Sequence, residues 1–272
     1  MQLKSPRQMR TSFYFRSAEK QLFGCYHFPQ TKQIKKSALV LCNPMGQEYI
    51  RCHQFYLQLA VRLSRIGFPV LRFDYYGCGD SAGDSEEGSV AQWIADLNDA
   101  IDVVKKRSGL TRICLFGLRL GATLAAMIEA ERQDVEAIVL WNPVARGESF
   151  INDLKGIQKQ MLRYTYVDND SNTNGKELTE ILGFPLPSNM LSDFRKINLF
   201  STTPKSLSNI LILENDENPD LRDLIDHYES SGAKIEFIQI QDPKIWLEQP
   251  YKGMIPREVI QKVVSWLSEV YA

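Results

Sequence analysis

Histidine is scarce in this chain of 272 residues: only His27, His53 and His227 are present. Any mechanism that needs an imidazole must use one of these three. An excess of basic charge is missing too. The 32 lysines and arginines are offset by 33 acidic residues, leaving a net charge of −1. That disfavours a dedicated nucleic-acid binder, whose basic surplus should show. No apolar run approaches the ~20 residues that cross a bilayer. The basic stretch 1–10 has no apolar core of the kind a secretory signal carries. The cysteines are odd in number (Cys25, Cys42, Cys52, Cys78 and Cys114) and form no CxxC pair. That pattern argues against a disulfide framework and a thiolate zinc site. These absences point to a reduced, cytoplasmic protein with no membrane span, no metal and no cofactor.

What is present is an ordinary globular balance, 44% hydrophobic and 24% charged. Alternating residues over 11–16 and 21–28 predict an opening hairpin, with His27 on an edge strand. Short apolar runs at 37–42, 69–73, 111–116, 135–141, 209–213 and 234–240 suit buried parallel strands. Helical spacing is expected over 55–66, 90–106, 122–130, 221–230 and 256–270. In the second of these, Val90, Trp93, Ile94, Leu97, Ile101 and Val104 share one face. The alternation predicts an α/β fold, with a mostly parallel central sheet and helices on both faces. Residues 145–206 break the rhythm with a polar run at 168–176 between weak helical segments at 150–163 and 177–184. The expected organisation is a core of residues 1–144 and 207–272 with residues 145–206 inserted as a lid. The aromatic residues Phe150, Tyr164, Tyr166, Phe184 and Phe194 of that insert would dock it or roof a pocket.

The chemistry lies in the loops that follow the strands, and their order is informative. The strand at 37–42 ends in Asn43-Pro44-Met45-Gly46-Gln47-Glu48. The next ends in Asp74-Tyr75-Tyr76-Gly77-Cys78-Gly79-Asp80-Ser81, whose Asp74 and Ser81 suit backbone hydrogen bonds within a tight loop. The third runs through Gly117-Leu118-Arg119-Leu120-Gly121-Ala122 into a helix. With these motifs in this order the chain resembles the α/β-hydrolases. Within them it is most similar to serine aminopeptidase-like hydrolases and the exosortase-associated hydrolase group. The resemblance implies an α/β-hydrolase fold, and a place beside an envelope or exopolysaccharide system. It also implies a G-x-S-x-G elbow carrying the nucleophile, an acid after the strand at 209–213, and a histidine between Gln241 and Pro256.

The matching positions depart from that pattern. Arg119 stands where the nucleophile belongs, Asp216 and Glu217 are the acid candidates, and the late loop has no histidine. A guanidinium stays protonated, offers five donors and accepts nothing. The Ser-His-Asp arrangement is therefore not intact. Yet Arg119 sits just before a helix N-terminus, where anions are favoured. The resemblance puts the backbone N–H groups of Leu120 and Met45 at the oxyanion-hole positions, beside Gly46 and Glu48. That set could bind a small anionic or acyl ligand. It could equally close on itself, with Arg119 paired to Glu48, Asp216 or Glu217, because a lone buried guanidinium is costly. His53, near the start of the first crossover helix, would lie towards the mouth of such a cleft. Two functions stay open. One is a non-catalytic or divergent homologue that binds an anionic or acyl ligand, or a protein partner, in the ancestral cleft. The other is an acyl ester or thioester hydrolase, or an acyltransferase, with a rearranged active site.

Overall fold

Runs of apolar residues that do not alternate become the middle of a sheet, because both faces of those strands are covered. A computed structural model describes residues 9–162, 180–205, 208–216, 218–247 and 255–272. Its strands are β1 (Arg10–Ser17), β2 (Lys20–His27), β3 (Ser37–Cys42), β4 (Val70–Phe73), β5 (Arg112–Leu118), β6 (Val135–Trp141), β7 (Glu180–Ile181), β8 (Phe184–Pro185), β9 (Asn209–Glu214) and β10 (Lys234–Gln239). Eight of them form one sheet in the order β1-β2-β4-β3-β5-β6-β9-β10. The β1–β2 and β2–β4 pairs are antiparallel and all other pairs of that sheet are parallel. All six residues of β3 are buried, and so are six of the seven in β5.

The helices are α1 (Gly46–Arg65), α2 (Val90–Ser108), α3 (Leu120–Glu131), α4 (Gly147–Leu162), α5 (Ser188–Lys196), α6 (Pro219–Ser230) and α7 (Arg257–Val270). One face of the sheet packs on α1 and α7 through Phe55, Leu59, Leu63, Val259, Val263 and Leu267. The other packs on α2, α3 and α6 through Trp93, Leu97, Leu124, Ile128, Leu221 and Leu224. Ser89 caps α2 by accepting from Gln92 N, and Gly109 ends it in the left-handed conformation. This is the mostly parallel, doubly covered α/β architecture expected of the strand–helix alternation.

Three local expectations are corrected. Helix α1 starts at Gly46, nine residues ahead of the predicted segment, because its buried face carries Glu48 and Cys52, which hide the apolar period. The stretch expected as a helix over 177–184 enters the described residues at Glu180 and forms the hairpin β7–β8, not a helix. Leu182 and Gly183 turn that hairpin with φ of 52° and 83°, values a helix does not allow. Helix α5, unanticipated, begins after Pro187 and buries Met190, Leu191 and Phe194. The polar run 168–176, Tyr164 and Tyr166 lie outside the described residues.

Helices α4 and α5 dock through aromatic contacts, Phe150 on Phe194 at 5.6 Å and Phe194 on Trp93 of α2 at 6.3 Å between ring centroids. Phe150 and Phe194 are both buried. Helices α4 and α5 are thus seated on the face of the sheet that carries α2 and α3.

His27 is not on an edge, since β1 covers β2 on its outer side. The ring is 1% exposed and accepts a 3.2 Å bond from Arg72 Nε at Nε2. Burial, with the charges of Arg72 and Arg10, lowers its pKa to about 4. An unfolded histidine takes up a proton near pH 6.5. Between those values the unfolded chain holds the extra proton, so stability falls as the pH drops from about 6.5 towards about 4. At roughly 1.4 kcal/mol per unit the loss reaches about 3 kcal/mol. Urea midpoints measured from pH 7 to pH 4.5 should fall more steeply in the native protein than in His27→Gln. Parallel slopes would remove His27 from the acid response.

Candidate functional site

The turn from β5 into α3 is forced by two glycines. A Cβ on Gly121 would run into the carbonyl oxygens of Cys42 and Asn43, and one on Gly117 into the backbone of Gly121 and Ala122. Between them Arg119 adopts φ 53° and ψ −122°. A bulky side chain held at positive φ is strained and persists only where its surroundings over-determine it. Here Arg119 N donates to Trp141 O at 2.9 Å, and Arg119 O accepts from Ala122 N and Thr123 N at 3.0 and 3.2 Å. The result is a sharp strand-to-helix elbow occupied by a guanidinium.

Arg119 is 9% exposed, and its side chain engages two carboxylates. Its Nε donates to Glu48 Oε1 at 3.2 Å, and Nη2 to Asp153 Oδ2 at 3.3 Å. The rings of Phe150 and Trp246 lie 5.4 and 5.9 Å from the guanidinium carbon, in cation–π range. Of the anticipated partners among the described residues, Glu48 is the one paired with Arg119. Its carboxylate is 3% exposed, and Oε2 is buried without a hydrogen bond among the described residues. Burial raises the Glu48 pKa, although the adjacent guanidinium opposes it. Asp153, on α4, was not legible as a partner. Only the docking of α4 brings it to the elbow.

Asp216 does not pair with Arg119. It forms an ion pair with Lys244, in the loop where the family's histidine is expected. Burial, and then the charge of Arg119, lowers the Lys244 pKa. Lys244 and Trp246, like Asp153, are therefore residues near Arg119 that sequence reasoning missed. The acid loop is held in place by Asn215, which accepts from Trp141 Nε1 at 2.8 Å and donates to Asp242 O at 2.5 Å. Glu217 lies outside the described residues.

Met45 and Leu120 sit at the starts of α1 and α3, where backbone N–H groups have no intrahelical acceptor. Gly46, at φ 56°, is covered by the Phe184 ring of β8, which would lie 3.5 Å from an added Cβ. The elbow is thus bordered by the 43–48 loop, by α4 and β8, and by the 241–247 loop.

The remaining candidates play other parts. His53 is exposed on α1, its ring centroid 6.4 Å from that of Tyr49. His227 is half-buried, with Nε2 3.0 Å from Thr202 O. Among the described residues no histidine hydrogen-bonds or ion-pairs with Arg119, Asp216 or Lys244. The 74–81 loop is architectural. Asp74 accepts from Tyr49 Oη at 2.9 Å and Asp80 N at 3.1 Å, while Ser81 Oγ donates to Asp74 O and accepts from Phe23 N. Burial raises the thiol pKa of Cys42, Cys52 and Cys114, and pushes that of Cys78 up to about 12. Such thiols stay protonated and are poor nucleophiles. No group of metal-ligating side chains occurs among the described residues, and no described helix is long and apolar enough to cross a membrane.

Comparison with known proteins agrees with this frame. Solved structures share the fold at low identity. Est1E from Butyrivibrio proteoclasticus, in a structure with ferulic acid bound, superposes with a TM-score of 0.63 at 17% identity, covering 94% of this chain and 98% of that one. A hypothetical protein from Pseudomonas aeruginosa superposes at 0.64 with 14% identity, covering 99% of each chain. In sequence, an uncharacterised protein of Mycobacterium tuberculosis is 33% identical over 123 residues, 44% of this chain and 41% of that protein. The human protein ABHD12B is 44% identical over 92 residues, 32% of this chain and 24% of that protein. The chain thus spans less than half the length of these sequence relatives. The family model of serine aminopeptidase S33 matches residues 33–178, more than half of the chain. With that match, and with the sheet order and elbow described above, the chain belongs to the serine aminopeptidase S33 family of the α/β-hydrolase fold.

Proposed function

We propose that this protein is a non-hydrolytic or divergent member of its family that holds a small anionic or acyl ligand in the ancestral cleft. The observation that carries this reading is Arg119 at the strained elbow, with its Nε on a buried carboxylate and its Nη2 on an exposed one. A protonated guanidinium cannot attack a carbonyl. It can hold a carboxylate or phosphate through charge-assisted bonds, beside the free N–H groups at the starts of α1 and α3. We read residues 145–206 as a lid over this cleft, with Phe184 against Gly46 as one of its contacts. Met45, Gly46, Glu48 and Leu120 would line the ligand's polar end.

A second reading is an acyl ester or thioester hydrolase, or an acyltransferase, with a rearranged centre. It is favoured by Lys244, a partly desolvated amine paired with Asp216 where the histidine–acid pair would be. The first reading is the better supported, because the elbow itself holds no nucleophile. A protein partner of the same cleft would be recognised by the same donors. Two measurements decide. Labelling with a fluorophosphonate probe is expected at background, and Arg119→Ser is expected to stay inactive on short acyl esters and thioesters, since no histidine reaches the elbow. Stoichiometric labelling or turnover by the native protein would establish the second reading. For binding, a thermal-shift series with carboxylates and phosphate should stabilise the native protein, and less so Arg119→Lys, whose ammonium lacks the planar fork.

A further inference from the structure

Arg119 has two anionic partners that are not equivalent. The Glu48 side chain is 4% exposed and comes from α1, whereas the Asp153 side chain is 57% exposed and comes from α4. Glu48 has nowhere else to go, since burial surrounds it. Asp153 can turn out to water without moving its helix. Helix α4 is anchored by Phe150, Ile151 and Leu154, each under 5% exposed, so the exchange needs only a rotamer change. Exposed ion pairs are weak, and a mobile carboxylate with water at its back is easily displaced.

We infer that Asp153 is a built-in competitor: its carboxylate occupies the place of a monocarboxylate ligand with an apolar tail, and binding displaces it from Arg119. This deepens the anion-binding reading above and rests on it. The ligand class follows from the surroundings. The position is already shown to accept a carboxylate at 3.3 Å from Nη2. The guanidinium lies in cation–π range of Phe150 and Trp246, and the half-buried Met45 and Phe184 border the 43–48 loop. An alkyl chain gains by covering the partly exposed Met45 and Phe184, whereas a bare, strongly hydrated anion does not. Loss of Asp153 from the site frees Arg119 Nη2, while Nε stays on Glu48 and Lys244 stays paired with Asp216. Helix α4 therefore carries a carboxylate that a ligand must displace from Arg119, which sets a threshold for binding.

The test is calorimetric titration of hexanoate, and separately of inorganic phosphate, into the native protein, Asp153→Asn and Asp226→Asn. The last removes an equal charge from the exposed face of α6, away from the elbow. Asp153→Asn is expected to bind hexanoate about 5-fold more tightly than the native protein, the equivalent of about 1 kcal/mol for an exposed pair. Hexanoate should bind more tightly than phosphate in each of the three proteins, and Asp226→Asn should match the native protein for both. Equal hexanoate affinity in the native protein and Asp153→Asn overturns the competitor while leaving the anion-binding reading intact. So does an equal gain in Asp226→Asn, which would assign the effect to net charge. Binding of neither anion to any of the three proteins overturns the anion-binding reading, and the competitor with it. Phosphate binding as tightly as hexanoate in the native protein and in Asp153→Asn overturns the apolar-tailed ligand class.

Discussion

Arg119→Ala is expected to lower the unfolding free energy by about 3–5 kcal/mol, the usual loss when one partner of a buried pair is removed. The substitution leaves Glu48, 3% exposed, with no cation on its Oε1 and with an Oε2 that already lacks a hydrogen bond. A carboxylate in that position escapes the penalty by keeping its proton. Its pKa is already raised by burial, and loss of the guanidinium removes the charge that opposes the rise. An unfolded glutamate ionises near pH 4.3. Above that value the folded variant would hold a proton that the unfolded chain has lost, so its stability falls as pH rises. The destabilisation of Arg119→Ala relative to the native protein should therefore be larger at pH 8 than at pH 5. Urea denaturation at the two pH values measures it. Adding Glu48→Gln to Arg119→Ala should recover much of the loss and flatten the pH dependence, because no buried charge then remains. A single variant within about 1 kcal/mol of the native protein at both pH values would mean that the pair is solvated.

Gly121→Ala is expected to be at least as damaging, at about 4 kcal/mol or more, with loss of soluble expression. Its Cβ would meet the carbonyl oxygen of Cys42 and lie 2.6 Å from that of Asn43. Those are backbone atoms at the end of β3, fixed by pairing to β4 and β5, so they cannot yield as a flexible side chain does. The chain must instead push α3 off the sheet and lose the packing of Leu120, Leu124 and Ile128. Gly156→Ala is the control. It lies in α4 with nothing within 4 Å of an added Cβ. Replacing a helical glycine by alanine there should stabilise by up to about 1 kcal/mol. Equal melting temperatures for the two variants would show that the elbow glycines are not packed as described.

Much of the frame was legible because it is written in local patterns. Apolar runs such as 37–42 and 135–141 are legible because strands covered on both faces are built almost wholly of apolar residues. The elbow was legible because glycine is the residue that fits where helix and strand backbones touch, and Gly117 and Gly121 stand at that spacing. Less legible were segments whose burial runs against residue type. Glu48 is a buried acid on α1, so the helix read as starting nine residues late. The β7–β8 hairpin turns on Leu182, a residue type that gives no turn signal, at φ 52°.

The site divides along the same line. That no histidine follows β10 and that an arginine occupies the elbow are facts of the chain alone, and they disfavour Ser-His-Asp chemistry whatever the packing. The partners of Arg119 are another matter. Glu48 and Asp153 lie 71 and 34 residues from it, and Lys244 rather than Arg119 takes Asp216. Residue type fixes which charges are available. Only the convergence of the loops and of α4 at one end of the sheet decides which of them meet, because ion pairing acts over a few ångströms in space and leaves no period in the sequence.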